Sequence, residues 1–553
     1  MILFSQCRFR VFGCIKWSLL TSLLLSAIGT PMVYAEESEA TLETEATIDA
    51  NASSVPSSAE EASLKSNSAI APATQAPKGY AFSHQTVIDL AKNLASAPMK
   101  PAEMAPKALI DMDYPTYRQI NFQQNQAVWG NTPTKFSVQL FAPGFLFKDL
   151  VSIDAVESGR AFPLKVSEDS FKTPNDEISK LISQVGKYAG LRLHYPINTA
   201  DMNDEFIVFQ GASYFRAISK GQSYGLSARG LAVDVAQPKG EEFPMFKQFW
   251  IERPSSSQDA IVVHALLDSK SVTGAYRFGI YPGKPTRVDV KATLFPRVDL
   301  KNVGIAPLTS MFMYNNSLDG SDISDYRPAV HDSEGLQILT GKDEMVWRPL
   351  NNPKSLQVSA FSDNSPKGFG LIQRHRGFED YQDLEASYHT RPSAWIKPLN
   401  DWGEGHVELV EIPSNAETND NIVTYWQPKE GLKKGESYTY QYLMTWSNDT
   451  PVSLDSPRIV RSAKGVKLFK TNPEVVIDFN KMPDINVDDL TIDASISNGK
   501  ILETIAVKNA HNNGVRVYVS FDPEDAALSE LRVQLKQGDT AVAPTWLYRW
   551  IKE

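Results

Sequence analysis

Short runs of alternating apolar and polar residues are the feature that most constrains the fold of this chain. Such runs occur at residues 136–140, 288–294 and 438–442, and Gly, Pro, Asn and Asp separate them at short intervals. Alternation with a period of two places the apolar side chains on one face of a β-strand. Many short strands with frequent turn signals are typical of an all-β sandwich or barrel.

A polar stretch that contains two prolines, residues 448–458, predicts a linker between two domains. Residues 459–553 continue the pattern of short strands and turns, and their length suits a small immunoglobulin-like β-sandwich. Residues 79–447 are long for one sandwich. They form either a very large pair of sheets or two fused units.

The N-terminus has the three parts of a secretory signal peptide. Three basic residues precede an apolar run at residues 17–28, and small residues, Val33 and Ala35, lie at the −3 and −1 positions of a cleavage site. The run is short for a bilayer span, which favours a cleaved signal at residues 1–35 over an uncleaved membrane anchor.

Residues 36–78 follow the signal and are rich in Ala, Ser, Thr, Glu and Pro, with eight acidic and two basic residues. Such a segment cannot bury enough apolar surface to offset the entropy of ordering, which predicts a disordered tether. Removal of the signal takes away three positive charges and changes the net charge from −10 to −13. An acidic chain without a basic cluster is a poor ligand for nucleic acid, because phosphate neutralisation needs Lys and Arg.

Both cysteines, Cys7 and Cys14, lie in the predicted signal peptide. The mature chain therefore has no disulfide, no thiol nucleophile and no cysteine metal site. The sequence also lacks the Walker, G-x-G-x-x-G, H-E-x-x-H and G-x-S-x-G motifs, and its eight histidines are scattered. We expect no cofactor and no metal.

Residues 326–426 combine carboxylates, arginines and tryptophans in loop-like sequence. Aromatic faces stack on sugar rings, and Arg and Asp bind sugar hydroxyls, so this composition favours carbohydrate binding. The candidate binding residues are Arg327, Trp347, Arg374, Arg391, Trp395, Trp402 and Trp426. Two carboxylates that flank a glycosidic bond can act as acid and base, and Asp332 and Asp420 are the candidates. The alternative is that these are ordinary turns and core tryptophans of a β-rich protein.

The chain also resembles a known family, the periplasmic glucans biosynthesis proteins G and D, and it is more similar to G. Outside residues 326–426, the matching blocks are DYPTYRQI at 113–120, GASYFR at 211–216, YGLSARGL at 224–231, GEEFP at 240–244, FWIERP at 249–254 and APLTSMF at 306–312. The D type typically carries a twin-arginine signal, which is missing here because Phe9 separates Arg8 from Arg10.

This resemblance implies a large N-terminal β-sandwich with a cleft, followed by a smaller immunoglobulin-like β-sandwich. It also implies a role in the periplasm in making osmoregulated glucans with a β-1,2-linked glucose backbone. By similarity to inverting β-1,2-glucanases, Asp420 is the general acid and Asp332 is the general base, which acts through a relay of water and substrate hydroxyl. Tyr388 and Glu417 also take part in that site.

The leading hypothesis is therefore endo-acting hydrolysis, or trimming, of a β-1,2-glucan. The alternative is a non-catalytic factor that accepts nascent glucan from an inner-membrane glucosyltransferase. In a third hypothesis, the C-terminal sandwich docks that synthase or a second copy of the chain, as a homodimer.

Overall fold

Two large β-sheets that face each other make up most of the molecule. The computed structural model describes residues 79–319, 325–449, 456–467 and 469–552. The predicted signal peptide, residues 1–35, and the predicted tether, residues 36–78, lie outside the described residues. We find no helix within the described ranges whose length and hydropathy would suit a membrane crossing.

Strands dominate the described residues. The first seventeen strands are β1 (Tyr80–Ala81), β2 (Asn121–Phe122), β3 (Ser137–Phe141), β4 (Ser152–Glu157), β5 (Arg160–Pro163), β6 (Phe171–Lys172), β7 (Gly190–Tyr195), β8 (Asp204–Gln210), β9 (Tyr214–Ala217), β10 (Ser227–Arg229), β11 (Leu231–Val233), β12 (Met245–Glu252), β13 (Ile261–Asp268), β14 (Val272–Tyr281), β15 (Thr286–Pro296), β16 (Val303–Ser310) and β17 (Phe312–Asn315). The later strands are β18 (Ala329–His331), β19 (Gly335–Leu339), β20 (Met345–Pro349), β21 (Gln357–Asn364), β22 (Gly368–Ile372), β23 (Ser393–Pro398), β24 (Glu404–Glu411), β25 (Ile422–Pro428), β26 (Tyr438–Ser447), β27 (Arg458–Val466), β28 (Pro473–Asn480), β29 (Thr491–Ile496), β30 (Lys500–Asn509), β31 (Gly514–Asp522), β32 (Leu528–Gln537), β33 (Thr540–Ala541) and β34 (Thr545–Ile551).

The helices are short, and they lie between the strands. They are α1 (His84–Ala95), α2 (Lys107–Ile110), α3 (Tyr114–Tyr117), α4 (Asp176–Val185) and α5 (Asn316–Asp319). Val87 and Ala91 of α1 are buried in a cluster with Trp250 of β12 and Leu266 of β13, so this helix covers the outer face of one sheet.

The first large sheet has the strand order β1-β5-β4-β12-β13-β14-β15-β26-β23-β22-β19-β20-β34-β32-β29. The second has the order β21-β24-β25-β16-β10-β9-β8-β7-β3, with β11 paired to β16. Rings cross between the sheets: Phe209 of β8 lies 5.5 Å from Phe249 of β12 and 5.3 Å from Phe278 of β14. Of the two alternatives for residues 79–447, the structure has the very large pair of sheets and not two fused units. The predicted all-β sandwich is confirmed.

Strand β15 shows how the sequence pattern builds the core. Its alternate residues Val288, Val290, Ala292 and Leu294 are buried between the sheets, as the alternation at residues 288–294 predicts. Burial of each larger apolar side chain contributes roughly 1.5–3 kcal/mol.

The smaller C-terminal sandwich shares a sheet with the large one. Strands β27-β28-β31-β30 form a separate sheet that packs against β29, β32 and β34, and Trp546 of β34 donates a 2.9 Å hydrogen bond to Ser462 of β27. Strand β34 also pairs in parallel with β20, where Trp546 faces Trp347. The predicted linker at residues 448–458 lies between β26 and β27, and residues 450–455 of it are outside the described residues.

Candidate active site

The segments that carry Asp332 and Asp420 are attached to two neighbouring residues, Met311 between β16 and β17 and Phe312 at the start of β17. The backbone N–H of Asp332 donates to the carbonyl oxygen of Met311 at 2.8 Å. The side chain of Asn421 accepts from the Phe312 N–H and donates to its carbonyl oxygen, both at 2.8 Å. The two carboxylates, far apart in the sequence, therefore lie in one site.

Asp332 is buried, with 5% of its surface exposed, and an arginine holds its carboxylate. Nη1 of Arg391 donates to its Oδ1, and the same guanidinium lies 4.3 Å from the ring centroid of Tyr388. A charge-assisted bond of this kind stabilises the ionised form of a carboxylate, which is the form that a general base requires.

Asp420 has a different environment. Its side chain is 8% exposed, and its Oδ2 lies 3.7 Å from Nη2 of Arg216, which is equally buried. Burial raises the pKa of Asp420; Arg216 opposes that rise, and the negative charge of Asp332 adds to it. A carboxyl group that keeps its proton to a higher pH is suited to donate it as a general acid.

Tyr388, Glu417 and Arg327 form a third set of contacts beside these carboxylates. The Tyr388 hydroxyl donates to Oε2 of Glu417 at 2.9 Å, and Nη1 of Arg327 donates to the same oxygen at 2.9 Å. Arg327 also binds Asp325 and, at 2.6 Å, Asp383. Burial raises the pKa of Tyr388, so its phenol stays protonated and acts as a donor.

Two further arginines of the site, Arg216 and Arg229, were not among the predicted site residues. They lie on the paired strands β9 and β10, and Arg229 lies 4.7 Å from the ring of Tyr214 and donates to Thr309 at 2.8 Å. Arg229 and Tyr214 both interact electrostatically with Asp420. The available signal was an arginine within each of two otherwise apolar segments, at 211–216 and 224–231.

The four predicted tryptophans lie in the cores of the sandwiches, and this corrects the prediction that they stack on a sugar. Trp426 and Trp402 are buried in the large sandwich, and Trp347 and Trp395 in the smaller one. Three of them cover a glycine of a neighbouring strand, where a Cβ would overlap the ring; the pairs are Trp347 with Gly335, Trp395 with Gly368, and Trp426 with Gly405. Their rings are used in packing within the two cores.

Arg374 also lies away from the two carboxylates. Its guanidinium pairs with Glu334, donates to the carbonyl oxygen of Ile459, and covers the ring of Trp347 at 3.8 Å. The structure therefore brings together Arg327, Asp332, Tyr388, Arg391, Glu417 and Asp420 of the predicted site, and it places Arg374 and the four tryptophans elsewhere.

Comparison with known proteins decides the family. The profile described as "Periplasmic glucan biosynthesis protein, MdoG" matches residues 82–550, which is most of the chain. The chain belongs to the MdoG family. The resemblance inferred from the sequence is thereby confirmed, and the role of the family is periplasmic glucan biosynthesis.

Relatives of this MdoG-family chain match it over most of their length. It is 63% identical to glucans biosynthesis protein G 2 of Shewanella oneidensis, over 86% of this chain and 89% of that protein. It is 46% identical to glucans biosynthesis protein G of Shewanella frigidimarina, over 85% and 84%. A solved Paenibacillus xanthan lyase aligns with a TM-score of 0.21 and 8% identity, over 70% of this chain and 36% of that one.

All the site residues of this MdoG-family chain lie inside the matched range. Within the described residues, we find no group of His, Cys, Asp and Glu side chains arranged to hold a metal ion. The described site consists of two carboxylates with arginine and tyrosine donors around them.

Proposed function

We propose that the chain hydrolyses the β-1,2-glucan backbone of osmoregulated periplasmic glucans, cutting within the chain and inverting the anomeric carbon. The observation that carries the proposal is the difference between the two carboxylates. Asp332 is bound to Arg391, whereas burial raises the pKa of Asp420. Two nearby carboxyl groups, one bound to a cation and one whose pKa is raised, are suited to act as base and acid.

In this mechanism, the Asp420 carboxyl group donates its proton to the glycosidic oxygen as the bond from that oxygen to C1 breaks. A water molecule attacks C1 from the opposite face, and this inverts the configuration from β to α. The proton of that water passes through a glucan hydroxyl to the Asp332 carboxylate. Exchange with solvent then returns both carboxyl groups to their starting states.

The neighbouring side chains have supporting roles in this proposal. Arg391 binds and orients the carboxylate of Asp332, and Arg216 limits how far the pKa of Asp420 rises. The Tyr388–Glu417–Arg327 set presents hydroxyl, carboxylate and guanidinium groups, which are the groups that bind sugar hydroxyls.

The test is to incubate the mature chain with linear β-1,2-glucan and to follow new reducing ends and the anomer first formed. We expect shorter chains, an α-anomer, and a loss of rate of about 10²–10⁴-fold in both Asp332→Asn and Asp420→Asn. Asp201→Asn changes an exposed aspartate and is the matched control. Unchanged rates in the two site variants would refute the assignment of acid and base.

The same experiment separates the proposal from the binding alternative. A non-catalytic factor that receives glucan from a membrane glucosyltransferase would bind the polymer saturably and leave its length distribution unchanged. In that case Asp420→Asn would alter affinity without any change in product.

A further inference from the structure

Residues 373–375, Gln-Arg-His, directly follow β22 and hold the segment that carries Asp332. The amide of Gln373 donates to the carbonyl oxygen of His331 at 2.8 Å. Its Oε1 lies 2.8 Å from Nδ1 of His331, which must be the donor because an amide oxygen only accepts. Both side chains are fully buried, so this pair of hydrogen bonds fixes His331, the residue before Asp332.

Glu334 provides the second attachment, on the other side of Asp332. Nη2 of Arg374 donates to its Oε1, and Nδ1 of His375 lies 2.9 Å from its Oε2. Burial opposes ionisation of Glu334, but the charges of Arg374 and His375 outweigh it and hold its pKa well below the usual range. The segment that carries Asp332 thus ends in a buried ionic contact.

Arg374 extends this attachment into the other sandwich. Its Nη1 donates to the carbonyl oxygen of Ile459, the second residue of β27, and Ile459 is buried in the core of the C-terminal sandwich. Its guanidinium also lies 3.8 Å from the ring centroid of Trp347, which belongs to the same core. One side chain therefore contacts the Asp332 segment and the C-terminal sandwich at once.

We propose that Arg374 is a positioning residue through which the C-terminal sandwich sets the location of Asp332. This inference rests on the proposed function, in which Asp332 is the general base. Arg374 makes no contact with Asp420 or with the Tyr388–Glu417 pair in the described residues, so it acts through Glu334. A displacement of a catalytic group by about 1 Å can reduce a rate by about 10²-fold.

The test compares two arginines that both join the sandwiches. Arg532 of β32 binds Glu344 at 2.8 Å, and Glu344 lies in the turn between β19 and β20, outside the Asp332 segment. Arg374→Met places an apolar side chain beside Trp347 and removes both polar contacts; Arg532→Met removes an ion pair that also joins the sandwiches but is more exposed. The double variant Arg374→Met with Glu334→Gln also removes the buried charge that would be left with His375 alone, so it separates lost positioning from lost stability.

We expect Arg374→Met and the double variant to lower kcat by about 10–100-fold with KM changed less than about threefold, because the residue positions a group that acts in the chemical step. We expect Arg374→Lys to recover part of kcat, since it can still pair with Glu334 but cannot also bind Ile459. Arg532→Met should leave kcat unchanged. An unchanged kcat in Arg374→Met, or an equal loss in both arginine variants, would overturn the inference.

Hydrogen exchange gives a readout that does not depend on activity. The amide N–H groups of Asp332 and Glu334 donate to Met311 and Ile372, so both are protected in the native chain. Arg374→Met should speed their exchange by about tenfold or more, and Arg532→Met should not. If the wild-type chain cuts no glucan, the proposed function fails while this measurement still tests the role of Arg374. Equal exchange in the wild type and in Arg374→Met would refute it.

Discussion

The segment around Asp332 is buried throughout, whereas much of the segment around Asp420 is exposed. Side chains of residues 373–375 and of Arg391 bind residues 331–334. In the other segment, Ser414 is bonded to Asn352 and Asn421 is bonded to Phe312, while most of residues 415–418 are exposed.

The two carboxylates therefore have different kinds of surroundings. The carboxylate of Asp332 is bound by one side chain, that of Arg391, from the loop between β22 and β23. The state of Asp420 depends on the sheet behind it, because Arg216 and Arg229 belong to β9 and β10. The contact with Arg391 fixes the geometry of Asp332, whereas the second sheet sets the dielectric environment of Asp420 and the charge around it.

Loss of Arg391 should have the largest effect of the neighbouring residues. We expect Arg391→Gln to lower kcat by about 10²–10³-fold, because Asp332 loses its cationic partner and its orientation. Initial rates of reducing-end formation would measure this. Lys397→Gln, on an exposed position of β23, is the matched control. A loss smaller than about threefold would mean that Asp332 needs no ion pair.

A change at Arg216 should sharpen the comparison through pH. Arg216 lowers the pKa of Asp420 against the effect of burial, so Arg216→Gln should raise that pKa further. A general acid must be protonated, and activity on the basic side is lost as pH rises through its pKa. The basic limb of the profile of kcat against pH should therefore move to higher pH. A downward shift would contradict this account.

Loss of the Tyr388 hydroxyl should have a smaller effect. Tyr388→Phe removes one hydrogen bond to Glu417 and keeps the ring beneath Arg391. A hydrogen bond to a charged group contributes about 1.5–3 kcal/mol. If Glu417 binds the substrate, losing this bond should lower kcat/KM by about 10–150-fold. Tyr281→Phe, at a half-exposed tyrosine at the end of β14, is the control. An unchanged kcat/KM would place this pair outside the reaction.

The smallest expected effect is on stability. The folded state raises the pKa of Asp420 above its ordinary value of 3.8, so ionised Asp420 costs stability at any pH above that raised pKa. Asp420→Asn should therefore raise Tm by about 1–4 °C near pH 8, and the gain should vanish as pH falls toward the ordinary value. Thermal unfolding at both pH values measures it. A lower Tm near pH 8 would show that the attraction of the Asp420 carboxylate to Arg216 and Arg229 stabilises the folded state by more than burial of the charge destabilises it.

The sequence could predict the strands and most of the carboxylates and arginines of the site. Alternation with a period of two identifies strands such as β15, and the polar loops of residues 326–426 contain Asp332, Tyr388, Arg391, Glu417 and Asp420. The roles of these residues stay predictions until the variants are measured.

Other features depend on information that local sequence does not contain. The direction of a tryptophan depends on register, and Trp395 lies over Gly368 only because β22 and β23 pair as they do. Arg216 and Arg229 approach Asp420 through the order of strands in the second sheet. The sheet shared by the two sandwiches depends on the parallel pair of β20 and β34, which no periodicity indicates.

That parallel pair has a consequence for the order in which the chain can be assembled. Trp347 cannot meet Trp546 until the thirteen strands between β20 and β34 have been made, because the pair joins strands that lie far apart in the chain. Until then β20 is an open edge of the largest sheet, and open edges are where strands of other chains add. A chain truncated before Thr545 would keep that edge permanently, so we expect nonsense variants near the C-terminus to aggregate even with every residue of the active site present.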